Sequence, residues 1–260
     1  MTKTPAEVEL MAEAGALLAS VFAYLDEQPL AGMSTLQVND LVEAFIVDKL
    51  RARPASKGQY GFAFALNSSR NAVVCHGVPS PDEILKDGDI VNFDITLEKH
   101  GFIADSSKTY LIGNVHAPAR RLVRTTYEAM WKGIRAVRPG ATLGDIGHAI
   151  QSYVEAQRCS VVRDFCGHGL GRVFHDAPNI LHFGRPGQGA VLKPGMFFTV
   201  EPMVNLGKPA VKVLNDGWTA VTRDKSLSAQ CEHSIGVTED GYEVFTASPT
   251  GLFQPAILGG

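Results

Sequence analysis

The feature that most narrows what this chain can fold into is that it repeats itself. Displaced by 108 positions, Gly32 falls on Gly140, Ser34 on Thr142, Val38 on Ile146, Val42 on Ile150, Phe45 on Tyr153 and Ile46 on Val154. A second match follows at a displacement of 107. Leu85-Lys86-Asp87-Gly88, leading to Asp94, returns as Leu192-Lys193-Pro194-Gly195, leading to Glu201. One such coincidence carries little weight, but the same order of features at nearly the same displacement predicts an internal duplication.

Each repeat opens with helices. Thr4-Pro5-Ala6-Glu7 combines a capping box with proline at the first helical position, and starts a helix that runs to about Glu27. A second begins at Ser34, with Gln37 three residues on, and lines up Val38, Leu41, Val42, Phe45 and Ile46 on one face. A third spans roughly Pro118 to Val137. The fourth starts near Thr142, where Asp145 completes another box. The expected fold class is α+β: two halves, about 1–112 and 113–250, related by a pseudo-twofold, with helices covering a curved, largely antiparallel sheet. No low-complexity linker separates them, so the 260 residues are expected to form a single domain.

Five side chains with metal-ligand chemistry are spread over this frame: Asp94, Asp105, His168, Glu201 and Glu232. Asp94 lies in the apolar run 90–96, and Asp105 follows the turn at 98–101. If Lys99 and His100 make a two-residue hairpin loop, Glu98 pairs with Gly101 and Asp94 faces Asp105. Like charges directly opposed on paired strands destabilise the pair, and a bridging cation removes the objection. His168 sits among glycines in Cys166-Gly167-His168-Gly169-Leu170-Gly171, where backbone or ligand can approach closely. Glu201 closes the apolar strand 196–200, and a buried acid needs a partner. Alternation puts Glu232 and Ser234 on one face of their strand, with Cys231 and His233 on the other.

Oxygen and imidazole donors suit hard or borderline divalent ions. Four carboxylates and one imidazole exceed the needs of one catalytic zinc, but suit two ions about 3.5–4 Å apart. Hydrolysis is the natural chemistry of such a pair. His76 and His175 read as hydrogen-bond donors to a substrate carbonyl beside it. The histidines at 100, 116, 148, 182 and 233 read as structural or surface residues.

Composition excludes several alternatives. Hydrophobic residues are 45% and charged residues 20%, the balance of a globular chain. A formal charge of −3 gives no reason to expect a specific nucleic-acid partner or membrane surface. Arg120, Arg121 and Arg124 read as a solvated helix face. No uninterrupted run of about 18 apolar residues is present, so no spanning helix is expected, and the N-terminus lacks a signal-peptide core. Four cysteines without a C-x-x-C pair fit a reducing cytoplasm.

The motifs Val-Cys-His-Gly (74–77), Asp-Gly-Asp-Ile-Val-Asn-Phe-Asp (87–94), Asp-Ser-Ser-Lys (105–108) and Cys-Gly-His-Gly-Leu-Gly (166–171) resemble those of type I bacterial methionine aminopeptidases. So do Phe-His-Asp-x-Pro (174–178), Pro-Gly-Met-x-Phe-Thr-Val-Glu-Pro (194–202) and Leu-Ser-Ala-Gln-x-Glu-His (227–233). The resemblance runs from the first helix to about Phe245. It implies the duplicated pita-bread fold and removal of the initiator methionine from nascent proteins with a small second residue. It also implies two divalent ions (cobalt, manganese, iron, zinc or nickel) on Asp94, Asp105, His168, Glu201 and Glu232. Glu201 is then the proton shuttle, His76 and His175 steady the scissile amide, and Phe62, Phe174, Trp218 and Asn67 line the substrate pocket. A cytoplasmic monomer is the default expectation, with nascent polypeptide N-termini as substrate and transient ribosome contact as a further partner.

The chain departs from that pattern around 57–67. Gln59 and Phe62 stand where many members have tyrosine, with Tyr60 adjacent, and Asn67 stands where some have cysteine. Ala104 replaces a glycine often found before the second aspartate. No zinc-finger extension precedes the first helix, as in the short bacterial form. The rival readings are a proline-specific peptidase of the same fold, which usually carries a further N-terminal domain, and a non-catalytic RNA- or protein-binding relative, which typically loses metal ligands.

Overall fold

Each helix begins where its cap predicts. In the computed structural model, which describes residues 2–249, α1 (Pro5–Asp26) opens with the Glu7 N–H donating to Thr4 Oγ1 and the Thr4 N–H donating to the Glu7 carboxylate (3.0 Å). Ser34 and Gln37 reciprocate in the same way at α2 (Thr35–Ala44). At α3 (Ala117–Arg135), His116 Nδ1 accepts from the Ala119 N–H, so this surface histidine is a cap. At α4 (Leu143–Ala156), the Thr142 N–H donates to Asp145 (2.7 Å). α2 ends in a wider turn over Phe45–Lys49, closed by the Leu50 N–H on Phe45 O (3.1 Å). Residue 1 and residues 250–260, which the expected boundaries include, lie outside the described residues.

The hydropathy of α1 goes beyond what a count of apolar runs shows. An 18-residue window of this 22-residue helix has a mean hydropathy of 1.5, so by length and composition only it is apolar enough to cross a bilayer. Counting uninterrupted apolar runs misses this, because Glu9 and Glu13 break the run without lowering the mean far. Met11, Leu18, Phe22 and Leu25 explain the hydropathy, since they are buried in the core of the first half.

The sheets are antiparallel throughout. In the first half, the strand Ile90–Lys99 pairs along its length with Phe102–Leu111, and on its other edge with Leu66–Arg70 and the short Arg53–Pro54. In the second half, the order is Tyr242–Val244, His233–Val237, Phe197–Val200, Gly167–Gly169 and Asp176–Ile180. α1 and α2 pack with the first set around Leu18, Phe22, Val42, Phe93 and Phe102. α3 and α4 cover the second around Leu122, Met130, Ile150, Phe198 and Ile235.

The duplication is visible in individual hydrogen bonds. Ser34 bridges to Ile84 as Thr142 bridges to Val191. The Gly32 N–H donates to Leu85 O as Gly140 does to Leu192 O, and the Leu85 N–H returns to Met33 O as Leu192 does to Ala141 O. Gly32 and Gly140 take φ of 86° and 84°, and Gly88 and Gly195 take 91° and 82°. All four are left-handed positions that glycine occupies at little steric cost. The halves are sewn together where their strands meet. Ser106 Oγ donates to Glu232 O (2.7 Å), Asn92 Nδ2 to Gln230 O (2.8 Å), and Ser234 Oγ to Asp105 O (2.7 Å).

The hairpin register differs from the expected one. Lys99 pairs with Phe102, so the loop is His100-Gly101, with φ of 52° and 77°. Two consecutive positive φ values are what a two-residue loop needs to match strand twist, and this choice spends the glycine on one of them. Asp94 therefore faces Ser107, and Asp105 faces Thr96. The two aspartates are diagonal neighbours on one face, not directly opposed.

Candidate metal centre

The acids converge where the halves join. Asp94 and Asp105 come from the two long strands of the first half, His168 from Gly167–Gly169 of the second, and Glu201 directly follows the neighbouring strand Phe197–Val200. Glu232 lies between the strands Ser228–Gln230 and His233–Val237, where it bridges to Ser107. The ligand atoms of Asp105, His168 and Glu232 all lie within 4.8 Å of one another. His168 Nε2 is 3.5 Å from Asp105 Oδ2 and 3.6 Å from Glu201 Oε1. All five side chains line one cavity of about 530 Å³. So do His76, His175, Phe62, Phe174, Trp218 and Asn67, so the structure brings together every residue singled out for the site.

Burial makes this cluster electrostatically unfavourable by itself. Desolvation, then the charges of Asp105 and Glu201, push Asp94 well above the usual carboxylate range. Desolvation followed by the neighbouring acids does the same to Glu232. Burial lifts Glu201 to about 7, against the opposing pull of His168 and Thr199. His168 is raised despite its own desolvation, because Asp105 and Glu201 favour the imidazolium. Glu232 Oε1 is buried with no hydrogen-bond partner among the described residues. A buried anionic atom without a donor is costly, and buried charges in proteins are paired or coordinate metal. The donor set, its spacing and its uncompensated charge therefore fit divalent cations.

The histidines beside the cluster carry the opposite perturbation. Burial lowers His76, and burial together with His168 lowers His175 to about 4. Both are neutral near pH 7, so each has one N–H to donate. His76 takes a left-handed backbone (φ 56°) at the end of the strand Val73–Cys75 and sits edge-on to Phe165 at 5.3 Å. Phe62 packs edge-to-face with Trp218 at 5.1 Å and with Phe64 at 5.7 Å, which gives the cavity an aromatic wall. Asn67 pairs with Asp94 across its sheet.

Several supporting residues escape the sequence reading. Thr199 accepts from the His168 N–H (3.0 Å) and donates to Glu201 Oε1 (2.6 Å). Gln230 Nε2 donates to Glu201 Oε2 (3.3 Å), and Thr96 donates to Asp105 Oδ1 (2.8 Å). Buried His182 accepts the Glu201 N–H (3.1 Å), which makes it structural, as expected. A signal was available for two of them. Thr199 and Gln230 precede Glu201 and Glu232 by two positions, so strand periodicity already places each beside an acid.

Comparison with known proteins agrees with this geometry. The model of metallopeptidase family M24 matches residues 9–239. The methionine aminopeptidase of Rickettsia prowazekii (strain Madrid E) is 52% identical over 246 residues, 94% of each chain. That of Escherichia coli (strain K12) is 46% identical over 256 residues, 98% of this chain and 97% of the other. The crystal structure of the methionine aminopeptidase from Rickettsia prowazekii superposes with a TM-score of 0.93 at 50% identity, over 95% of this chain and 99% of that one. With the duplicated fold and the convergent donor set, these matches show that the chain belongs to metallopeptidase family M24, among the bacterial methionine aminopeptidases.

Proposed function

We propose that this chain is a metal-dependent aminopeptidase that removes the N-terminal methionine from nascent proteins and peptides whose second residue is small. The observation that carries the reading is the cluster of four carboxyls and one imidazole at an aromatic-walled cavity, with Asp105, His168, Glu201 and Glu232 buried and Asp94 partly so. Asp94, Asp105, His168, Glu201 and Glu232 would hold two divalent ions, which when bound supply an activated water and polarisation of the methionyl carbonyl. Which of cobalt, manganese, iron, zinc or nickel serves is a matter of availability as much as of ligand chemistry.

The chain's own residues supply the rest. Glu201 takes the proton from the attacking water and returns it to the leaving amine. Thr199 and Gln230, donating to its two oxygens, hold that carboxylate in one orientation. His76 and His175, kept neutral by burial, donate N–H groups to the carbonyl oxygen as negative charge develops on it. Phe62, Phe174 and Trp218 offer the apolar surface that a methionine side chain needs. The same reading describes a cytoplasmic monomer, one domain with halves at about 1–112 and 113–250, acting on nascent polypeptide N-termini in transient contact with the ribosome.

A proline-specific peptidase of this fold is the rival within the same chemistry. Identity of 52% across 94% of both chains favours the methionine reading, and retention of all five donors argues against a non-catalytic relative. The test compares Met-Ala-Ser with an X-Pro dipeptide on manganese-loaded enzyme. Faster cleavage of the X-Pro substrate overturns the assignment, and cleavage of neither at saturating metal overturns the enzyme reading.

A further inference from the structure

Tyr60 has no part in the chemistry above, yet its placement runs against local preference. Its side chain is 71% exposed, the most of any large hydrophobic residue described, and it belongs to none of the apolar clusters. Its backbone is left-handed (φ 49°, ψ 22°), a conformation unfavourable for a bulky residue. Gly58 and Gly61 also take positive φ, and a Cβ at either would meet nothing within 4 Å. The loop therefore has open space around it, and crowding does not force the tyrosine into this geometry.

The loop does bring the phenol against His175. The two rings lie 5.7 Å apart with planes 22° from parallel, and Tyr60 Oη is 3.4 Å from His175 Nδ1. That long contact is the hydrogen bond found for the His175 ring among the described residues, and catalytic contacts are often loose before substrate binds. Phe174 stacks on the same imidazole at 4.2 Å and 10°, and His168 meets it edge-on at 4.4 Å. Two roughly parallel aromatic rings thus set the tilt of His175. With Nδ1 engaged by the phenol, Nε2 is the nitrogen left for substrate.

We infer that Tyr60 is a positioning residue: its phenol fixes the tilt of the His175 imidazole and engages Nδ1, so that Nε2–H is presented to the scissile carbonyl. The inference rests on the reading of His175 as a donor to that carbonyl. It makes the exposed, strained tyrosine a component of activity that contributes little to stability, and that separation can be measured.

The experiment uses manganese-loaded full-length enzyme with Met-Ala-Ser, and compares Tyr60→Gly, Tyr60→Phe, His175→Ala and the Tyr60→Gly/His175→Ala double variant. Glycine accepts the left-handed backbone and the lost side chain is exposed, so Tyr60→Gly should melt within about 2 °C of wild type or above it. Its kcat should fall about 10-fold with KM within about twofold, because the oriented donor matters most in the transition state. Tyr60→Phe, which keeps the ring and loses the hydroxyl, should fall between. In the His175→Ala background Tyr60→Gly should cost nothing further, because the two act as a unit. Unchanged kcat in Tyr60→Gly, or an equal drop in both backgrounds, would overturn the inference. So would a fall in Tm that accounts for the lost activity. Wild-type kcat in His175→Ala would instead remove the role assigned to His175, a failure distinguishable from one confined to Tyr60.

Discussion

Stripping divalent ions from this protein should make its stability fall as pH rises above 7. In the metal-free folded state Asp94 and Glu232 keep their protons far above the usual carboxylate range, and Glu201 keeps its proton to about 7. The unfolded chain releases the same protons near pH 4–4.5. Over that interval the folded state binds more protons, so raising the pH favours unfolding. His168, raised in the fold, adds a contribution of the same sign. The neutral histidines act oppositely: partly desolvated His175 is held at about 4, and buried His182 and His233 at about 3. Their contribution to stability grows as pH rises to about 6.5, where the unfolded histidines finish titrating, and is flat beyond. Above pH 7 the acids therefore dominate. Each carboxyl protonated in the fold and ionised in the unfolded chain costs about 1.4 kcal/mol per pH unit. Glu201, held at about 7, by itself accounts for roughly half a kcal/mol between pH 7 and 8, or a Tm lower by about 1–2 °C at this size, and Asp94 and Glu232 push in the same direction. Staying below pH 8 limits the contribution of the buried thiols of Cys75 and Cys231, which are also raised. Differential scanning calorimetry of chelator-treated protein, with and without saturating manganese, measures this directly. The metal-free Tm should drop over the interval while the gap to the loaded protein widens, because the ion binds deprotonated ligands. A metal-free Tm that holds level or rises from pH 7 to 8 would refute the placement of these acids as a buried, uncompensated cluster.

Other expectations follow from the same geometry. Glu201→Ala should lower kcat by about 10²–10⁴-fold while the metal-free protein melts at or above the wild-type temperature; near-normal turnover would remove Glu201 from proton transfer. Chelation should abolish activity reversibly, and metal analysis of the reconstituted protein should approach two ions per chain; activity in excess chelator would contradict the mechanism. Trp218→Ala should raise KM for Met-Ala-Ser about 10-fold or more, given roughly 1–3 kcal/mol for apolar pocket contacts, and an unchanged KM would place the methionine side chain elsewhere. Gly77→Ala puts a Cβ 1.9 Å from Ser68 O, beside His76. It should destabilise the protein by about 1–3 kcal/mol and depress kcat, and a variant normal on both counts would show that this contact is not fixed.

Much of the architecture was legible in residue order, because its signals are local. Capping boxes at Thr4, Ser34 and Thr142 depend on side chains three residues apart, and each helix starts where they say. The repeat was legible because duplicated turns need glycine at the same left-handed positions, Gly32 with Gly140 and Gly88 with Gly195. The candidate acids and histidines were picked out by chemistry, since apolar strands do not carry carboxylates without a reason. Register was not legible: the hairpin could close at Lys99-His100 or at His100-Gly101, and a shift of that size changes which residue faces Asp94. Nor was the use made of α1, whose apolar side chains are buried in a core that the linear sequence does not display.

The sequence by itself determined the elements, the doubling and the kind of chemistry, since these rest on spacing within a few residues or on side-chain type. The tertiary structure alone decided that residues as distant in the chain as Asp105 and Glu232 come within reach of one another. It also decided that Thr199 links His168 to Glu201 and that Tyr60 lies against His175. Those contacts cross the seam between halves or join separate loops, and their geometry is set by how the two cores pack. No local pattern encodes that.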